Sequence, residues 1–334
     1  MSPAPRLGEF DLIARYFAPL AKDFPGALGL LDDVALIDVP AGHRIVATLD
    51  AMVAGVHFLP DDPPDEIGQK LMRVNLSDLA AKGARPYACL LALCLPGQPA
   101  EAWLAAFAAG LARDCVAFGM PLIGGDTTVT PGPLTLSLTA LGLCGDGSGA
   151  AAPPSLRSGA LVGDRVFVSG VIGDGCLGLE VAKGGLVDLA QDHRGRLLRR
   201  YRLPTPRVEL GASLAGVIHG AADVSDGLLA DLGHICKASG VGARIEAARV
   251  PLSPAGRAVV SRELERLAAM LTGGDDYELV FTAAAADESR VMDRSRASGV
   301  PVTVIGEVVA GDAVEVMDAA ALRLPLEKTG YRHF

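Results

Sequence analysis

A segment from residue 145 to residue 163 divides the chain into two halves that carry the same kind of hydrophobic pattern. The segment is rich in Gly, Ala, Pro and Ser and has no hydrophobic period, which is typical of a linker. On both sides, short apolar runs alternate with stretches whose apolar residues recur at helical spacing. Because 334 residues exceed what one hydrophobic core usually supports, the pattern predicts two α/β domains, covering residues 1–148 and 149–334.

The first half reads as three strands and two helices. The strands are predicted at residues 44–49, 88–95 and 134–143, and the helices at residues 65–82 and 100–118. The third strand alternates Leu with Ser and Thr, which predicts that one of its sides faces solvent. The first strand is expected to end at Asp50, and the second helix at Gly119.

The second half is predicted to be mixed α and β as well. Strands are expected at residues 165–169, 242–247, 277–282 and 302–309, and helices at residues 174–183, 207–219, 263–271 and 285–298, with one more beginning after Asp226. No repeat with a fixed period of 20 to 50 residues is present, which argues against a solenoid.

Composition and charge exclude several classes of protein. The net charge of −9 disfavours a nucleic-acid binder, which needs clustered Lys and Arg. No stretch reaches the roughly 18 apolar residues of a membrane span, and the start lacks the basic and apolar regions of a secretory signal. We therefore expect a cytoplasmic protein without nucleic-acid or membrane partners. The six cysteines form no C-x-x-C pair, so we expect free, mostly buried thiols rather than zinc ligands or disulfides.

Aspartates recur where apolar runs end and beside paired glycines. The candidates are Asp32, Asp33, Asp50, Asp78, Asp126, Asp223, Asp226, Asp275 and Asp276. Singly, an Asp beside Gly is more often a turn former or a helix cap, but several converging carboxylates are what Mg²⁺ with ATP requires. Asp78 lies in a helical pattern, where it either faces a partner or is solvated. Since no phosphate loop, dinucleotide fingerprint or kinase catalytic loop is present, the predicted ATP site is of another type.

Two other polar residues have alternative interpretations. His57 could be a general base or a zinc ligand, although a single His in an apolar stretch is more often structural. Ser225 stands in Val-Ser-Asp-Gly, which is not a nucleophile elbow. A hydroxyl that binds phosphate suits Ser225 better.

Eight motifs spread over nearly the whole chain fit one known family. They are residues 8–17, 32–33, 54–60, 74–81, 123–128, 223–228, 276–279 and 330–334. On these motifs the chain resembles the thiamine-monophosphate kinases, which belong to the aminoimidazole-ribonucleotide-synthetase-like superfamily of ATP-binding proteins. The resemblance implies Mg²⁺-assisted transfer of the γ-phosphoryl group of ATP to thiamine monophosphate, without a general base. It also implies a homodimer in which strands of the N-terminal domains pair across the interface, with ATP bound nearby.

The resemblance assigns three groups of residues. The implied ligands of several magnesium ions are Asp33, Thr48, Asp50, Asp78, Asp126, Asp223 and Asp226. The implied ATP contacts are Gly125, Asp126, Arg157 and Ser225. The implied contacts to thiamine monophosphate are His57, Asp275 and Tyr331.

The chain departs from the family pattern at Leu31, Leu49 and Asp275, where Gly, Thr and Glu are usual. None of these changes removes a metal carboxylate. Two alternatives remain: another ATP-dependent synthetase of the superfamily, which activates an acid or amide, and a non-catalytic nucleotide-binding relative. The synthetase would use an acceptor other than thiamine monophosphate. The non-catalytic relative would bind a nucleotide but convert neither ATP nor thiamine monophosphate.

Overall fold

The computed structural model describes residues 8–145, 153–318, 320, 322–324 and 330–331. The predicted domain boundary between residues 148 and 149 lies outside these residues, as do residues 332–334 of the last motif. Among the described residues, no helix is both long enough and apolar enough to cross a bilayer.

The N-terminal half forms a four-stranded sheet in the order β1-β4-β2-β3, in which only β2 and β3 run parallel. Its elements are α1 (Glu9–Leu12), β1 (Arg44–Val53), α2 (Pro64–Ala81), β2 (Arg85–Leu95), α3 (Glu101–Phe118), β3 (Leu122–Val129) and β4 (Thr135–Cys144), with tighter or wider helical turns at Ile13–Phe17, Ala18–Ala21 and Pro25–Leu30. The long helices α2 and α3 pack against one face of the sheet.

Side chains of β4 alternate between the two faces as predicted. Leu136 and Leu138 are fully buried in the core, whereas Ser137 and Thr139 are half-buried and line a cavity on the opposite face. Helix α3 ends at Gly119, whose left-handed backbone (φ 61°) closes it. The sequence pattern therefore predicted both the wet face and this helix end correctly.

Two predictions for the acidic segments were wrong in detail. β1 continues to Val53, so Asp50 lies inside the strand and not at its end. The Gly124-Gly125-Asp126 segment, for which no strand was predicted and whose paired glycines suggested a turn, lies inside β3. A Cβ on Gly125 would stand 2.0 Å from the carbonyl oxygen of Leu91. Glycine is required there because β3 approaches β2 closely, a reason that the sequence alone does not distinguish from a ligand-binding turn.

The C-terminal half forms a six-stranded sheet in the order β10-β7-β9-β5-β8-β6, in which only β10 and β7 run parallel. Its elements are β5 (Arg165–Ser169), α4 (Asp174–Ala182), α5 (Gln191–Arg202), α6 (Val208–Leu214), β6 (Ala221–Asp223), α7 (Leu228–Ser239), β7 (Gly242–Glu246), α8 (Pro254–Val260), α9 (Arg266–Thr272), β8 (Leu279–Ala283), α10 (Glu288–Ser298), β9 (Val302–Val309) and β10 (Val314–Met317), with short tight turns at Ala247–Arg249 and Ala285–Asp287. The predicted helix at residues 207–219 stops at Leu214, because Ala215 is extended and Gly216 is left-handed.

One hydrophobic core continues from the first domain into the second. Leu79 of α2 is buried in the same cluster as Phe167, Leu210 and Phe281 of the C-terminal half. All six cysteines are free thiols, four of them buried and two half-buried, as the scattered spacing predicted. Because the domains share this core, α2 and the end of β6 form the walls of one cleft.

Candidate active site

Four of the predicted metal carboxylates meet in the cleft between the domains. Asp50 comes from β1, Asp78 from α2, Asp223 from the end of β6 and Asp226 from the loop that follows. All four line one cavity of about 680 Å³. Asp223 is buried and the other three are half-buried. The structure thus brings together acids that lie far apart in the sequence.

Burial and neighbouring negative charges disfavour the charged forms of Asp50 and Asp223. Burial, followed by the charges of Asp78 and Asp226, raises the pKa of Asp50 to about 6. Burial, with Asp78 the next cause, raises the pKa of Asp223 as well. Like charges in a low-dielectric site favour protonation unless a cation offsets them. A set of oxygen donors with excess negative charge is what a hard divalent cation binds best.

Neighbouring polar groups hold the acids of β1 and α2 in register. Thr48 donates its hydroxyl hydrogen bond to Asp78 Oδ2. The backbone N–H of Asp50 donates to Asn75 Oδ1 (3.1 Å), and Asn75 Nδ2 donates to the carbonyl oxygen of Leu71 (2.9 Å). Asp78 therefore faces a partner and not open solvent, which settles the alternative that the sequence left open. Asn75 was not predicted as a site residue, although it lies within the 74–81 motif.

A second unpredicted residue, Asp231, organises the loop after β6. Its Oδ2 accepts hydrogen bonds from the backbone N–H groups of Ser225 (3.1 Å) and Asp226 (3.0 Å). Burial raises the pKa of Asp231 to about 7, and the bond from the Asp226 backbone opposes that rise. Gly227 takes a positive φ of 120° where a Cβ would stand 2.6 Å from the carbonyl oxygen of Thr272. The loop is therefore fixed by one carboxylate and one glycine.

The loop at residues 273–277 packs directly on the loop after β6. The N–H of Asp275 donates to the carbonyl oxygen of Ser225 (2.9 Å), and the N–H of Tyr277 donates to that of Val224 (2.8 Å). A Cβ on Gly274 would stand 2.3 Å from the Ser225 carbonyl oxygen. The paired glycines thus permit contact between two loops. The backbone N–H of Tyr331 joins the same assembly by donating to the carbonyl oxygen of Asp226 (3.0 Å).

The three residues implied to bind thiamine monophosphate line the same cavity as the acids. They are His57, Asp275 and Tyr331. His57 Nδ1 accepts a hydrogen bond from the N–H of Val53 (3.0 Å), so a neutral ring carries its proton on Nε2. Asp275 (φ 68°) and Tyr277 (φ 50°) both have left-handed backbones, which cost free energy in residues with side chains and are concentrated at functional sites.

The remaining acids lie elsewhere. Asp33, Gly125 and Asp126 line a second cavity of about 540 Å³ on the open face of the four-stranded sheet, together with Asp32. Asp33 and Asp126 are exposed. The structure therefore divides the predicted metal and ATP residues into two groups, which we call the cleft and the sheet face.

The strand register shows how far apart the two groups are. Asp126 lies in one cross-strand row with Ala92, Ser137 and Ala51, whereas Asp50 lies in the adjacent row. Adjacent rows point to opposite faces of a sheet, and β1 and β3 are its opposite edges. Three strand spacings separate these edges by roughly 14 Å. Within one chain, Asp50 and Asp126 do not share an ion.

Arg157 lies at the edge of the cleft cluster. It is exposed, and its carbonyl oxygen accepts a hydrogen bond from Ser239 Oγ (3.3 Å). Its charge counteracts the rise in the pKa of Asp231 and, after burial, lowers the pKa of Lys82. Lys82 Nζ in turn donates to the carbonyl oxygen of Ala221 (2.9 Å). Arg157 thus places a positive charge beside the loop after β6, within the segment that the pattern indicated as a linker.

The chain is similar to known proteins over nearly its full length. Residues 31–144 match the family model of the AIR synthase related protein, N-terminal domain, and residues 162–319 match that of the C-terminal domain. The thiamine-monophosphate kinase of Caulobacter vibrioides is 46% identical over 309 residues, which cover 92% of this chain and 85% of that protein. The thiamine-monophosphate kinase of Escherichia coli K12 is 39% identical and is covered, like this chain, to 98%.

Solved structures are similar to this chain as well. A thiamine-monophosphate kinase from Stenotrophomonas maltophilia has a TM-score of 0.81 at 41% identity, covering 93% of this chain and 96% of that one. AaThiL, complexed with AMPPCP and TMP, has a TM-score of 0.76 at 28% identity, covering both chains fully. The hydrogenase maturation protein HypE in complex with ATP has a TM-score of 0.77 at 20% identity and shares the fold. The chain belongs to the thiamine-monophosphate kinase family.

Proposed function

We propose that this protein transfers the γ-phosphoryl group of ATP to thiamine monophosphate, giving thiamine diphosphate and ADP. The observation that carries the proposal is one cavity that is lined both by the clustered acids and by His57, Asp275 and Tyr331. Further support comes from its family and from AaThiL, whose structure holds AMPPCP and TMP together.

The residues of the site fit magnesium ions. The donors are carboxylates and one hydroxyl, which are the oxygen ligands that Mg²⁺ prefers. Burial, followed by the charges of neighbouring acids, raises the pKa of Asp50 and Asp223, and a bound cation would offset both causes. The residues that would hold the ions are Asp33, Thr48, Asp50, Asp78, Asp126, Asp223 and Asp226. Bound Mg²⁺ would neutralise the charge on the phosphate groups of both substrates.

The chain's own residues then have to position the two substrates. The nucleophile is a phosphate oxygen of thiamine monophosphate, and a phosphomonoester with a second pKa of about 6 is largely ionised at neutral pH. No general base is therefore required. We assign Gly125, Asp126, Arg157 and Ser225 to ATP, and His57, Asp275 and Tyr331 to the acceptor. Their task is in-line alignment, which can account for much of the rate enhancement of such a transfer.

A homodimer is part of the proposal, because the sheet face and both edges of its sheet are exposed in one chain. β1 and β3 are the edges of the four-stranded sheet, where Leu49 is 60% and Val129 is 72% exposed. Pairing of these edges between two copies would cover both side chains and the free strand edges. It would also place β3 of one copy, which carries Asp126, beside β1 of the other, which carries Asp50. We therefore propose that ATP binds near this interface.

Two further expectations remain within the proposal. The domain boundary at residues 148 and 149 falls between the two regions that match family models. A cytoplasmic location is compatible with six free cysteine thiols, which persist in reducing compartments.

The test is to incubate the purified protein with Mg²⁺, ATP and thiamine monophosphate and to separate the products by chromatography. Thiamine diphosphate and ADP are expected in equal amounts, and chelation of Mg²⁺ should abolish both. Formation of ADP only with an acid or amide acceptor would favour the synthetase alternative. Binding of ATP without any turnover would favour the non-catalytic one.

A further inference from the structure

A buried lysine contacts two of the residues that we assign to the acceptor. Lys70 projects from α2 with a side chain that is only 3% exposed. Its Nζ donates to the carbonyl oxygen of His57 (3.0 Å), lies 3.4 Å from Asp275 Oδ1 and stands 3.8 Å from the centroid of the Tyr201 ring. A buried ammonium group is costly unless polar partners surround it. These three contacts offset that cost at one particular place in the site.

Helix α2 connects Lys70 with the clustered acids of the same cavity. Lys70, Val74 and Asp78 all line the cavity. Their spacing of four residues puts them on one stripe of the helix, and the helical rise separates Lys70 from Asp78 by roughly 12 Å. The same rigid element therefore places a carboxylate among the clustered acids and an ammonium group beside His57 and Asp275.

Lys70 also joins two segments from different domains. His57 belongs to the turn after β1, and Asp275 belongs to the loop before β8. The hydroxyl of Tyr277 donates to the same Asp275 Oδ1 (3.2 Å). Two donors on one oxygen fix the orientation of the carboxylate, and the bond to His57 fixes the turn. The ring of Tyr201 holds the ammonium group from another side by a cation–π contact.

We infer that Lys70 is a positioning residue for the acceptor, which holds the His57 turn and the Asp275 carboxylate at one spacing. The inference rests on the proposed function, in which these two residues contact thiamine monophosphate. The acceptor carries a cationic ring as well as a phosphate group. An Asp275 carboxylate of fixed orientation suits recognition of that ring. The positive charge of Lys70 partly offsets the negative charge of this carboxylate. Both polar contacts of Lys70 are with residues assigned to the acceptor, so its loss should weaken the binding of thiamine monophosphate more than the binding of ATP.

The test compares Lys70→Met, which keeps the apolar stem and removes the charge, with Lys237→Met at an exposed position on α7. We expect the KM for thiamine monophosphate to rise about tenfold or more in Lys70→Met, as for the loss of hydrogen bonds to charged groups. The KM for ATP should change less than about twofold. Lys237→Met should match the wild type in both. An unchanged KM for thiamine monophosphate, or an equal rise for ATP, overturns the inference.

A double-mutant cycle shows whether Lys70 acts through Asp275. Asp275→Asn should also raise the KM for thiamine monophosphate. The KM of the double variant should exceed the higher of the two single-variant KM values by no more than about twofold. Fully multiplicative effects would mean that Lys70 does not act through Asp275. If Lys70→Met fails to fold in melting experiments, Lys70→Arg replaces it. The planar guanidinium cannot reproduce three contacts of a compact ammonium group, so an unchanged acceptor KM in that variant also overturns the inference.

Calorimetry separates this inference from the proposed function. Thiamine monophosphate is titrated into the wild type and Lys70→Met in the presence of Mg²⁺. Tighter binding to the wild type supports the inference whether or not turnover is observed. Equal affinity for both proteins contradicts it, even when the wild type makes thiamine diphosphate. Failure of the wild type to form that product contradicts the proposed function alone.

Discussion

The cleft and the sheet face contain the same kinds of residue but differ in how much of a site one chain completes. In the cleft, Asp50, Asp78 and Asp223 come from both domains, and burial together with the charge of Asp78 raises the pKa of Asp50 and of Asp223. On the sheet face, Asp33 and Asp126 remain exposed around an open cavity. The fold of one chain therefore places one acidic cluster between its two domains and leaves the other exposed. In the proposed homodimer, a second copy would cover the exposed cluster.

The difference has a structural cause. The cleft acids lie where α2 packs against the second domain, so one continuous core fixes their spacing. The sheet-face acids lie on the side of the sheet that α2 and α3 do not cover. Packing between the domains therefore fixes the first group, whereas the second lies on the N-terminal domain alone and stays exposed.

Loss of a cleft carboxylate should have the largest effect. Asp226→Asn keeps the shape of the side chain but removes a charged ligand, so we expect kcat/KM to fall by at least about 100-fold. Raising the Mg²⁺ concentration should restore part of the activity, which a titration of initial rates would reveal. Asp192→Asn at an exposed position on α5 is the matched control. Full turnover of Asp226→Asn at ordinary Mg²⁺ concentrations would rule out its role as a ligand.

Mixed dimers can decide whether the sheet face of one chain serves the cleft of another. Asp126→Asn and Asp223→Asn should each be inactive as homodimers. Co-expressed with different tags and purified as the mixed dimer, they should regain roughly half of the wild-type activity, because one site then has both residues intact.

A site formed within one chain predicts the opposite result for the mixed dimer. If Asp126 and Asp223 served the same site within one chain, each site of the mixed dimer would carry one substitution and no activity would return. A mixed dimer of wild type with Asp223→Asn calibrates the half-activity level. Sedimentation of the wild type as a monomer would exclude the arrangement altogether.

Without divalent cations, the cleft acids should destabilise the fold as the pH rises. The pKa of Asp50 is raised from 3.8 to about 6. Its contribution to stability is therefore full below pH 3.8 and is lost as the pH passes 6. The shift corresponds to at most roughly 2–3 kcal/mol. Thermal melts in a chelator should show Asp50→Asn gaining stability relative to the wild type between pH 4 and pH 7.

Bound Mg²⁺ and ATP should remove this gain, because the cation offsets the charge that the substitution eliminates. Asp192→Asn should follow the wild type at every pH. A constant difference in melting temperature between Asp50→Asn and the wild type across this range would mean that the fold does not raise the pKa of Asp50.

Much of the fold followed from periodicity, and the exceptions have physical reasons. Helices α2 and α3 were predicted to within one or two residues because their apolar positions face a core. α5 was missed because it is rich in Arg and buries only Leu197 and Tyr201. β3 was missed because Gly124 and Gly125 read as a turn, although they serve close strand pairing.

The site was predicted unevenly for a similar reason. The acids were found because carboxylates beside glycines carry a local signal. The residues that organise them were not, since Lys70, Asn75 and Asp231 acquire their roles only from contacts with distant segments. Periodicity gave no role to Arg157 or Tyr331, which came from the family resemblance alone.

Leu49 stands between the two regions and should show the smallest effect. It replaces the usual Thr of the family and lines both cavities. Successive strand residues point to opposite faces, so its side chain points away from the face that carries Thr48 and Asp50. A hydroxyl introduced by Leu49→Thr should therefore not reach the cleft acids, and the Mg²⁺ concentration for half-maximal rate should change less than about twofold. Thr48→Val, which removes the hydroxyl bonded to Asp78, should raise that concentration more. If Leu49→Thr changed the Mg²⁺ concentration for half-maximal rate more than Thr48→Val did, the metal ligand on β1 would lie on the sheet face. The cleft and the sheet face would then not be separate metal regions.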